Sequence, residues 1–280
     1  MSDHRAGCSG PGAAELVELL AESLELGVPL GESLLRLAAA LLPLGRGAPI
    51  RLRLPLGLVS LCPRGELAAT WRNELHVFYY RDYEQLPGFR PGRGWIVVDA
   101  GAYVGLYTLR AARLVGPRGL VVSLEPLPES FAYLAANVRL NGLRNVVPLR
   151  ACLAGSSGVR TLYVPESTVN ATLVKEYAET VGGTWGEVGV RALTLGDIVE
   201  RLGHVDLLKL DIEGAEAEVL ESPGLDPHRV RRVVVEVHVD VVGPSEVAGL
   251  LEDAGYETAL YVDESAPHQA FVYAAEALPV

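Results

Sequence analysis

From Trp95 onward, segments that are apolar almost throughout alternate with helical patterns, and this alternation limits the fold more than any other feature. Five such segments read WIVVDA, GLVVSLEP, NVVPLRACL, VDLLKLDI and RRVVVEVHV. Helical periodicity separates or follows them at 106–115, 128–140, 214–221 and 244–254. Strands that lack polar alternation are buried on both faces, as in a parallel sheet that helices cover on both sides. The sequence therefore predicts an α/β fold with a mostly parallel sheet.

Two regions depart from this alternation. The last helical pattern is followed by the strand-like runs YETALYV and QAFVYAA, which predict an antiparallel end to the sheet. Residues 158–193 contain the runs VRTLYV, NATLV and VGVRAL where a crossover helix would otherwise stand. This pattern predicts a β insertion at about 158–193.

The first 80 residues have a different character. Apolar residues recur at helical spacing over 14–27 and 31–43, with Pro29 and Gly31 between the two stretches. Residues 49–80 contain the β-type runs IRLRLPLGLVSLC and HVFYY, which predict a small antiparallel element. We therefore predict a helical pair and small β element at 1–80, followed by the sheet domain at 81–280.

Composition limits the partners and the compartment. The 280 residues carry a formal net charge of −11, so no chain-wide basic field exists to attract nucleic acid or an anionic membrane. No apolar run reaches the roughly 18 residues of a membrane span, and charges interrupt the apolar stretch near the start. The cysteines, Cys8, Cys62 and Cys152, are odd in number and lack C-x-x-C spacing, which suits a reducing compartment. We expect a cytoplasmic protein.

The turn after the first buried strand, in VVDAGAYVG, indicates the ligand. Gly101 and Gly105 form G-x-x-x-G rather than the G-x-G-x-x-G of a dinucleotide site, and Asp99 precedes them. A carboxylate there would repel a pyrophosphate but suit a ligand with an ammonium group. Glu125 ends the second strand, where an acid can accept hydrogen bonds from both hydroxyls of a ribose. Together, Asp99 and Glu125 favour S-adenosylmethionine over NAD.

Several segments together resemble a known family. They are VDAGAYVGLYTL, SLEPLPESFAYLAANVRLNGLRNV, LTLGDIVE, LLKLDIEGAEAEVL and VVVEVH. In this order they resemble the FkbM-type S-adenosylmethionine-dependent methyltransferases, from about residue 83 to about residue 240. The resemblance implies a class I methyltransferase Rossmann-like sheet with an antiparallel last strand, and methyl transfer, usually to oxygen. Two residues depart from the family pattern: Tyr103 stands where Asn is usual, and TLGD leaves Asp197 as the sole acid of a usual pair.

The turn and the resemblance together predict the site residues. The residues expected at the cofactor are Asp99, Gly101, Ala102, Tyr103, Gly105, Tyr107, Thr108, Glu125, Pro126, Ala151 and Asp211. The catalytic candidates, at the ends of the fourth and fifth strands, are His238, Asp211, Glu213 and Lys209. We expect Tyr107 and Thr108 to contact the cofactor carboxylate.

Each catalytic candidate also has a structural interpretation. Ionisable residues in apolar strands need partners, so Lys209 and Glu236 are expected to form an ion pair between neighbouring strands. His238 is either the base or an acceptor contact, or else a satisfied structural histidine, and Glu213 is expected to cap the helix near Gly214. A metal trio of Asp211, Glu213 and His238 lacks any recognised ligand spacing, so no metal is expected. Aromatic residues that could line an acceptor cleft are Trp71, Tyr79, Tyr80, Tyr83 and Trp185.

The expected activity is therefore O-methylation of a small-molecule or sugar hydroxyl. RNA or protein methylation is one alternative, with arginines at 51–53, 90, 93 and 229–232 as phosphate contacts. A catalytically inactive binding module is the other. The N-terminal helices offer a surface for a homo-oligomer in either case.

Overall fold

A seven-stranded sheet forms the centre of the protein. The computed structural model describes residues 12–41, 48–181, 186–262 and 269–278. The sheet consists of β3 (Ile96–Ala100), β4 (Leu120–Leu124), β5 (Val146–Leu149), β9 (Leu207–Leu210), β10 (Arg232–His238), β11 (Glu257–Val262) and β12 (Gln269–Ala275). Their order is β11-β12-β10-β9-β3-β4-β5, and β12 alone runs antiparallel to the other six strands. The predicted α/β fold is confirmed, with the class I methyltransferase arrangement and its antiparallel last strand.

Helices cover both faces of this sheet, because successive strand residues point to opposite sides. Val97 belongs to one hydrophobic cluster and Val98 to the other. The helices of this domain are α4 (Leu106–Val115), α5 (Pro128–Leu140), α7 (Leu195–Leu202), α8 (Glu216–Leu220) and α9 (Pro244–Asp253). The predicted bounds of α4 and α5 are confirmed, whereas α8 is shorter than the predicted 214–221.

The N-terminal segment packs on the face that carries α4. Its elements are α1 (Ala13–Glu25), α2 (Leu30–Leu41), the hairpin β1 (Ile50–Leu54) and β2 (Leu58–Cys62), and α3 (Leu67–Glu74). Leu52 and Leu58 share a hydrophobic cluster with Val97 and Leu109 of the sheet domain. The predicted strand HVFYY is wrong, since α3 continues into a π-helical turn at Leu75–Tyr80 and buries Val77 and Phe78 in that cluster.

Both the division at residue 80 and a homo-oligomer through the N-terminal helices stay predictions. Large apolar side chains are exposed on α1 and α2, namely Val17, Leu24, Leu30, Leu34, Leu35 and Leu41. None of the helices in the part of the chain described here is long and apolar enough to cross a membrane.

Two asparagines, one in the last turn of α5 and one directly after the helix, hold the hairpin against the sheet domain. Asn137 is fully buried; its Oδ1 accepts from the Leu61 amide at 2.6 Å, and its Nδ2 donates to the Val104 carbonyl at 2.8 Å. Asn141 both accepts from the Val59 amide and donates to the Val59 carbonyl. The side-chain amides thus satisfy backbone groups on the free edge of β2, as a neighbouring strand would.

The predicted insertion contains a second, small sheet. Its strands are β6 (Cys152–Leu153), β7 (Gly158–Val164) and β8 (Gly186–Leu193), in the order β6-β8-β7. The predicted strand NATLV is wrong: residues Thr168–Asn170 form a 3-10 turn, and only Thr172 bridges to Tyr163. The short helix α6 (Lys175–Thr180) follows, a segment that the strand pattern did not predict.

Candidate active site

A cavity of about 310 Å³ lies at the carboxyl ends of β3, β4, β9 and β10. This is the edge of an open parallel sheet at which ligands bind. Its floor is the turn after β3, its sides carry Glu125, Lys209 and Asp211, and the N-terminal segment closes it with His76 and Tyr83.

The glycines of the turn are required by geometry. Gly101 has a φ of +76°, and a Cβ at this position would lie 1.7 Å from the carbonyl oxygen of Asp211. The ends of β3 and β9 therefore lie too close together here for any residue with a Cβ to replace Gly101. Gly105 has a φ of +95°, and a Cβ there would press against Leu134 of α5. Gly105 is the N-cap residue of α4 and does not line the cavity.

Tyr103 occupies a left-handed backbone position, with a φ of +49°. Asn adopts this conformation far more readily than an aromatic residue does, which gives a physical reason for the usual Asn of the family. The amide of Tyr103 donates to Glu125 at 2.8 Å, while its hydroxyl lies 3.5 Å from that of Thr70 on α3. The ring is buried in the cluster shared with the N-terminal segment. Tyr103, which stands in place of the usual Asn, thus connects the turn to the N-terminal segment.

Glu125 is a buried carboxylate held by the backbone. Its oxygens accept from the amides of Tyr103 at 2.8 Å and Leu127 at 2.9 Å. Burial raises the pKa of Glu125 to about 8, although these two hydrogen bonds oppose the shift. The side chain lines the cavity together with Pro126.

Lys209 is a buried ammonium group at the centre of the site. Its Nζ lies 3.0 Å from Asp211, 3.3 Å from Asp99 and 3.0 Å from the Gly101 carbonyl. The predicted ion pair between Lys209 and Glu236 is wrong. Residue 209 stands opposite Asp99 in β3 and opposite Val234 in β10, so Glu236 lies two residues too far along its strand. Burial opposes the charge, but Asp211 and Asp99 outweigh it and raise the pKa of Lys209, which keeps the amine protonated.

Asp99 lies beneath the cavity rather than on its wall. It is fully buried, and its second oxygen accepts from the hydroxyl of Thr108 at 2.5 Å. The ammonium group that Asp99 faces is that of Lys209. Thr108 and Ala151 are likewise buried and do not line the cavity, whereas Tyr107 does. The Tyr107 ring packs on Tyr83, and its buried hydroxyl has no hydrogen-bond partner among the described residues.

Tyr83 joins the acids of two strands. Its hydroxyl lies 2.5 Å from Glu236 and 3.0 Å from Asp211. Burial and the charge of Asp211 raise the pKa of Glu236 to about 7. Burial also acts on Asp211, but Lys209 and His238 outweigh it and hold the pKa of Asp211 below its ordinary value. The acid on β10 is therefore the one that holds a proton near neutral pH.

His238 is bound at both ring nitrogens. Nδ1 lies 3.1 Å from Glu216 and Nε2 lies 3.3 Å from Glu213. Burial opposes a charge on the ring, but these carboxylates raise the pKa of His238 well above its ordinary value. The predicted helix cap by Glu213 is wrong, since α8 has no side-chain cap; Glu216 instead accepts from the amides of Ile212 and Gly214 in the turn before the helix. Asp211, Glu213 and His238 offer ligand atoms within 4.8 Å of one another, so a cation there would have to displace the His238 proton.

His76 lines the cavity, and the sequence analysis did not predict it as a site residue. Nδ1 of His76 lies 2.6 Å from the buried carboxylate of Asp82. The two residues are six apart in an aromatic stretch, HVFYYRDYEQ, and match no recognised short motif. The sequence signal that could have revealed this pair is the presence of two ionisable residues, His76 and Asp82, within a largely apolar stretch.

The predicted aromatic cleft is formed only in part. Tyr83 lines the cavity, whereas Trp71 is fully buried between α3 and α1 and donates to Ser23. Tyr80 donates to Glu22 of α1, and Trp185 lies outside the described residues.

Known proteins are similar to this chain over the sheet domain. Residues 99–258 match the family model of the methyltransferase FkbM domain. Methyltransferase sdnD of Sordaria araneosa is 33% identical over 204 residues, which cover 62% of this chain and 78% of that protein. Hexuronic acid methyltransferase AglP of Haloferax volcanii is 29% identical, covering 58% of this chain and 64% of its own. The crystal structure of methyltransferase FkbM from Methylobacillus flagellatus KT aligns with a TM-score of 0.46 at 16% identity, over 75% of this chain and 54% of that one. The chain belongs to the FkbM family and is an S-adenosyl-L-methionine-dependent methyltransferase.

Proposed function

We propose that the chain transfers a methyl group to a hydroxyl of a small-molecule or sugar acceptor. The acid-rich wall of the cavity carries this proposal. Its carboxyl groups belong to Glu15, Glu125, Asp211, Glu213 and Glu236, against the cations Arg72 and Lys209 and the titratable His76. Within this wall the pKa of Asp211 is held below its ordinary value by Lys209 and His238, so its carboxylate is ionised and can attract the positively charged sulfonium of S-adenosylmethionine.

The residues present fit this cofactor. Glu125 is buried, is held by two amides and lines the cavity, as an acceptor for the two hydroxyls of a ribose would. Gly101 and Ala102 of the turn line the same cavity. When bound, S-adenosylmethionine supplies an activated methyl group on sulfur.

The protein's own contribution is alignment, charge and exclusion of water. Alignment of the acceptor for in-line displacement contributes roughly 7–11 kcal/mol in favourable cases. Lys209 holds Asp211, Asp99 and the turn together, which makes it a positioning residue in this proposal. His238 has both ring nitrogens bound to carboxylates, Glu213 and Glu216, and is therefore poorly placed to accept a proton from the acceptor.

A sugar acid is the acceptor class that we favour. AglP, one of the similar proteins, is named as a hexuronic acid methyltransferase. Arg72 lines the cavity, and its guanidinium, 3.7 Å from Glu15, could pair with the carboxylate of such an acceptor in place of Glu15. This assignment is a proposal that rests on both observations together.

The alternatives have less support. The arginines at 229–232 stand before β10, at the sheet edge opposite the cavity, and Arg231 is bound to Asp206 at 2.6 Å. They are therefore poorly placed to hold an RNA acceptor at the site. An inactive module that binds no cofactor would not need a buried Glu125 at the cavity wall.

Calorimetry and methyl transfer test the proposal together. Purified protein is titrated with S-adenosylmethionine, with NAD as the ligand control, and Glu125→Gln is compared with the exposed Glu129→Gln on α5. We expect micromolar binding of S-adenosylmethionine alone, weakened at least tenfold only by Glu125→Gln.

Radiolabelled methyl transfer is then measured to methyl β-D-glucuronoside, methyl α-D-glucoside, bulk tRNA and casein. Transfer to a glycoside supports the proposal. Transfer to tRNA or casein alone overturns the acceptor class, and binding without transfer to any of them favours the inactive module.

A further inference from the structure

His76 and Asp82 form a hydrogen-bonded pair at the cavity. Asp82 is 5% exposed, and its carboxylate lies 2.6 Å from Nδ1 of His76. A carboxylate only accepts hydrogen bonds, so Nδ1 carries the hydrogen and the lone pair of the neutral ring lies on Nε2. No partner for Nε2 is found among the described residues, and the ring is partly exposed.

The local backbone is shaped to bring these side chains together. His76 lies in the π-helical turn Leu75–Tyr80, and Arg81 then takes a left-handed conformation with a φ of +62°. Both features are uncommon in non-glycine backbone and cluster at functional sites. The hydroxyl of Tyr273 donates to the Asp82 carbonyl, which anchors the position of the carboxylate on the sheet.

His76 also stands where two cavities meet. It lines the cavity described above and a second one of about 280 Å³, which His238, Tyr177 and Gln269 also line. The first cavity holds the residues suited to the cofactor, and the second is also lined by Glu213 and Asp240. An acceptor that reaches the first cavity through the second would pass this ring.

Two of the predicted catalytic candidates are poorly suited to accept a proton. Lys209 is held protonated by Asp99 and Asp211, and both nitrogens of His238 face carboxylates. An imidazole that a buried acid orients through Nδ1, with Nε2 facing a cavity, is the arrangement of a general base.

We propose that His76 is the catalytic base of this enzyme and that Asp82 positions it; the inference rests on the proposed O-methylation. Nε2 accepts the proton of the acceptor hydroxyl while that oxygen forms a bond to the methyl carbon. The bond between methyl carbon and sulfur breaks, and its electron pair stays on sulfur to give the neutral thioether. The proton on His76 is then released to solvent.

The pH dependence follows from the charges around the ring. Asp82, Glu236 on β10 and Glu22 on α1 all face His76. Burial opposes a charge on the ring, but these acids, Asp82 foremost, raise the pKa of His76 above its ordinary value of 6.5. Turnover therefore increases with pH through a midpoint above about 6.5.

The test compares His76→Asn and Asp82→Asn with His204→Asn. His204 is also paired with an acid, Asp206, but before β9 and away from the cavity. With methyl β-D-glucuronoside as acceptor, we expect His76→Asn to reduce kcat by about 10²–10⁴-fold. S-adenosylmethionine affinity should stay within about threefold, and His204→Asn should match wild type. Asp82→Asn should move the pH midpoint downward, and added imidazole should restore part of the activity of His76→Ala. A His76→Asn enzyme with wild-type kcat and pH profile overturns the proposal.

A second measurement separates this inference from the proposed function. Long-range ¹H–¹⁵N NMR of histidine-labelled protein, with His76→Asn for assignment, reports the ring state without any acceptor. The Nδ1–H tautomer with a pKa above 6.5 that falls in Asp82→Asn supports the pair, and any other result overturns it. If the wild-type enzyme methylates neither glycoside, the proposed acceptor class fails, and the NMR result alone decides the state of His76.

Discussion

The hydroxyl oxygen of Tyr83 lies 2.5 Å from Oε2 of Glu236 and 3.0 Å from Oδ2 of Asp211. A phenol has one hydrogen, so it cannot donate to both carboxylates at full strength. When Glu236 is protonated, it donates to Tyr83, and Tyr83 donates to Asp211. A single proton on Glu236 thus satisfies all three groups.

We predict that Glu236 makes folding stability depend on pH. Its pKa is raised from 4.5 to about 7 in the folded protein, which therefore binds the proton more tightly than the unfolded chain does. This contribution is full below about pH 4.5 and is lost as the pH rises through about 7. Glu236→Gln should reduce the fall in unfolding free energy between about pH 5 and pH 8 by on the order of 1–3 kcal/mol. Urea unfolding at both pH values measures this difference in unfolding free energy, with the exposed Glu246→Gln as the control. A Glu236→Gln variant whose stability falls as much as that of the control and the wild type would contradict the prediction.

Cofactor affinity should also depend on pH, through Glu125. Its pKa is about 8 without ligand, and hydrogen bonds from a ribose favour the ionised form. Binding of 5′-methylthioadenosine, which has the ribose but no ammonium group, should therefore tighten by up to about tenfold between pH 6.5 and pH 8.5. Glu125→Gln should bind weakly with no such dependence. Calorimetry at both pH values checks this, and a pH-independent wild type would refute it.

Gly101→Ala should destabilise the protein far more than Gly116→Ala. Both residues have positive φ, but a Cβ at Gly101 meets the Asp211 carbonyl at 1.7 Å, whereas a Cβ at Gly116 meets nothing within 4 Å. We expect about 1–3 kcal/mol for Gly116→Ala, from backbone conformation alone, and more than about 4 kcal/mol for Gly101→Ala. Chemical denaturation measures both, and equal losses would show that the close approach is unimportant.

Asn137→Ala should loosen the hairpin over the site. The substitution leaves the Leu61 amide and the Val104 carbonyl without this partner in a buried setting. We expect a loss of about 2–4 kcal/mol in unfolding free energy and faster hydrogen exchange at Leu61. Arg139→Ala, exposed on the same helix, should stay within about 0.5 kcal/mol. Unchanged exchange at Leu61 would argue that the hairpin is held by its apolar side chains alone.

Tyr103→Asn should separate the backbone role of this position from that of its ring. Asn accepts the left-handed conformation and retains the amide that binds Glu125, so S-adenosylmethionine affinity should stay within about threefold. Loss of the buried ring should reduce the unfolding free energy by a net value of about 2–3 kcal/mol, which already includes about 1 kcal/mol gained from relieved backbone strain. Calorimetry and thermal unfolding measure the two effects. A tenfold change in affinity in either direction would mean that the ring itself reaches the cofactor.

Much of the site was predictable because it lies at strand ends. Gly101, Glu125, Lys209 and Asp211 follow or end apolar strands, and they line one cavity because parallel strands end at the same edge. The π-helical turn that carries His76 was not predictable, since its aromatic and β-branched residues match a strand as well as a helix.

By itself the sequence determined the alternation of strands and helices, the glycine turn and the acids at the strand ends, because these depend on local periodicity and backbone conformation. Only the tertiary structure decided the partners. Strand register placed Lys209 beside Asp99 rather than Glu236, the loop after β9 placed Glu213 and Glu216 on His238, and the turn at Arg81 placed Asp82 on His76. Hydrogen bonds act over about 3 Å, so a one- or two-residue difference in register selects a different partner, and local sequence carries no record of that register.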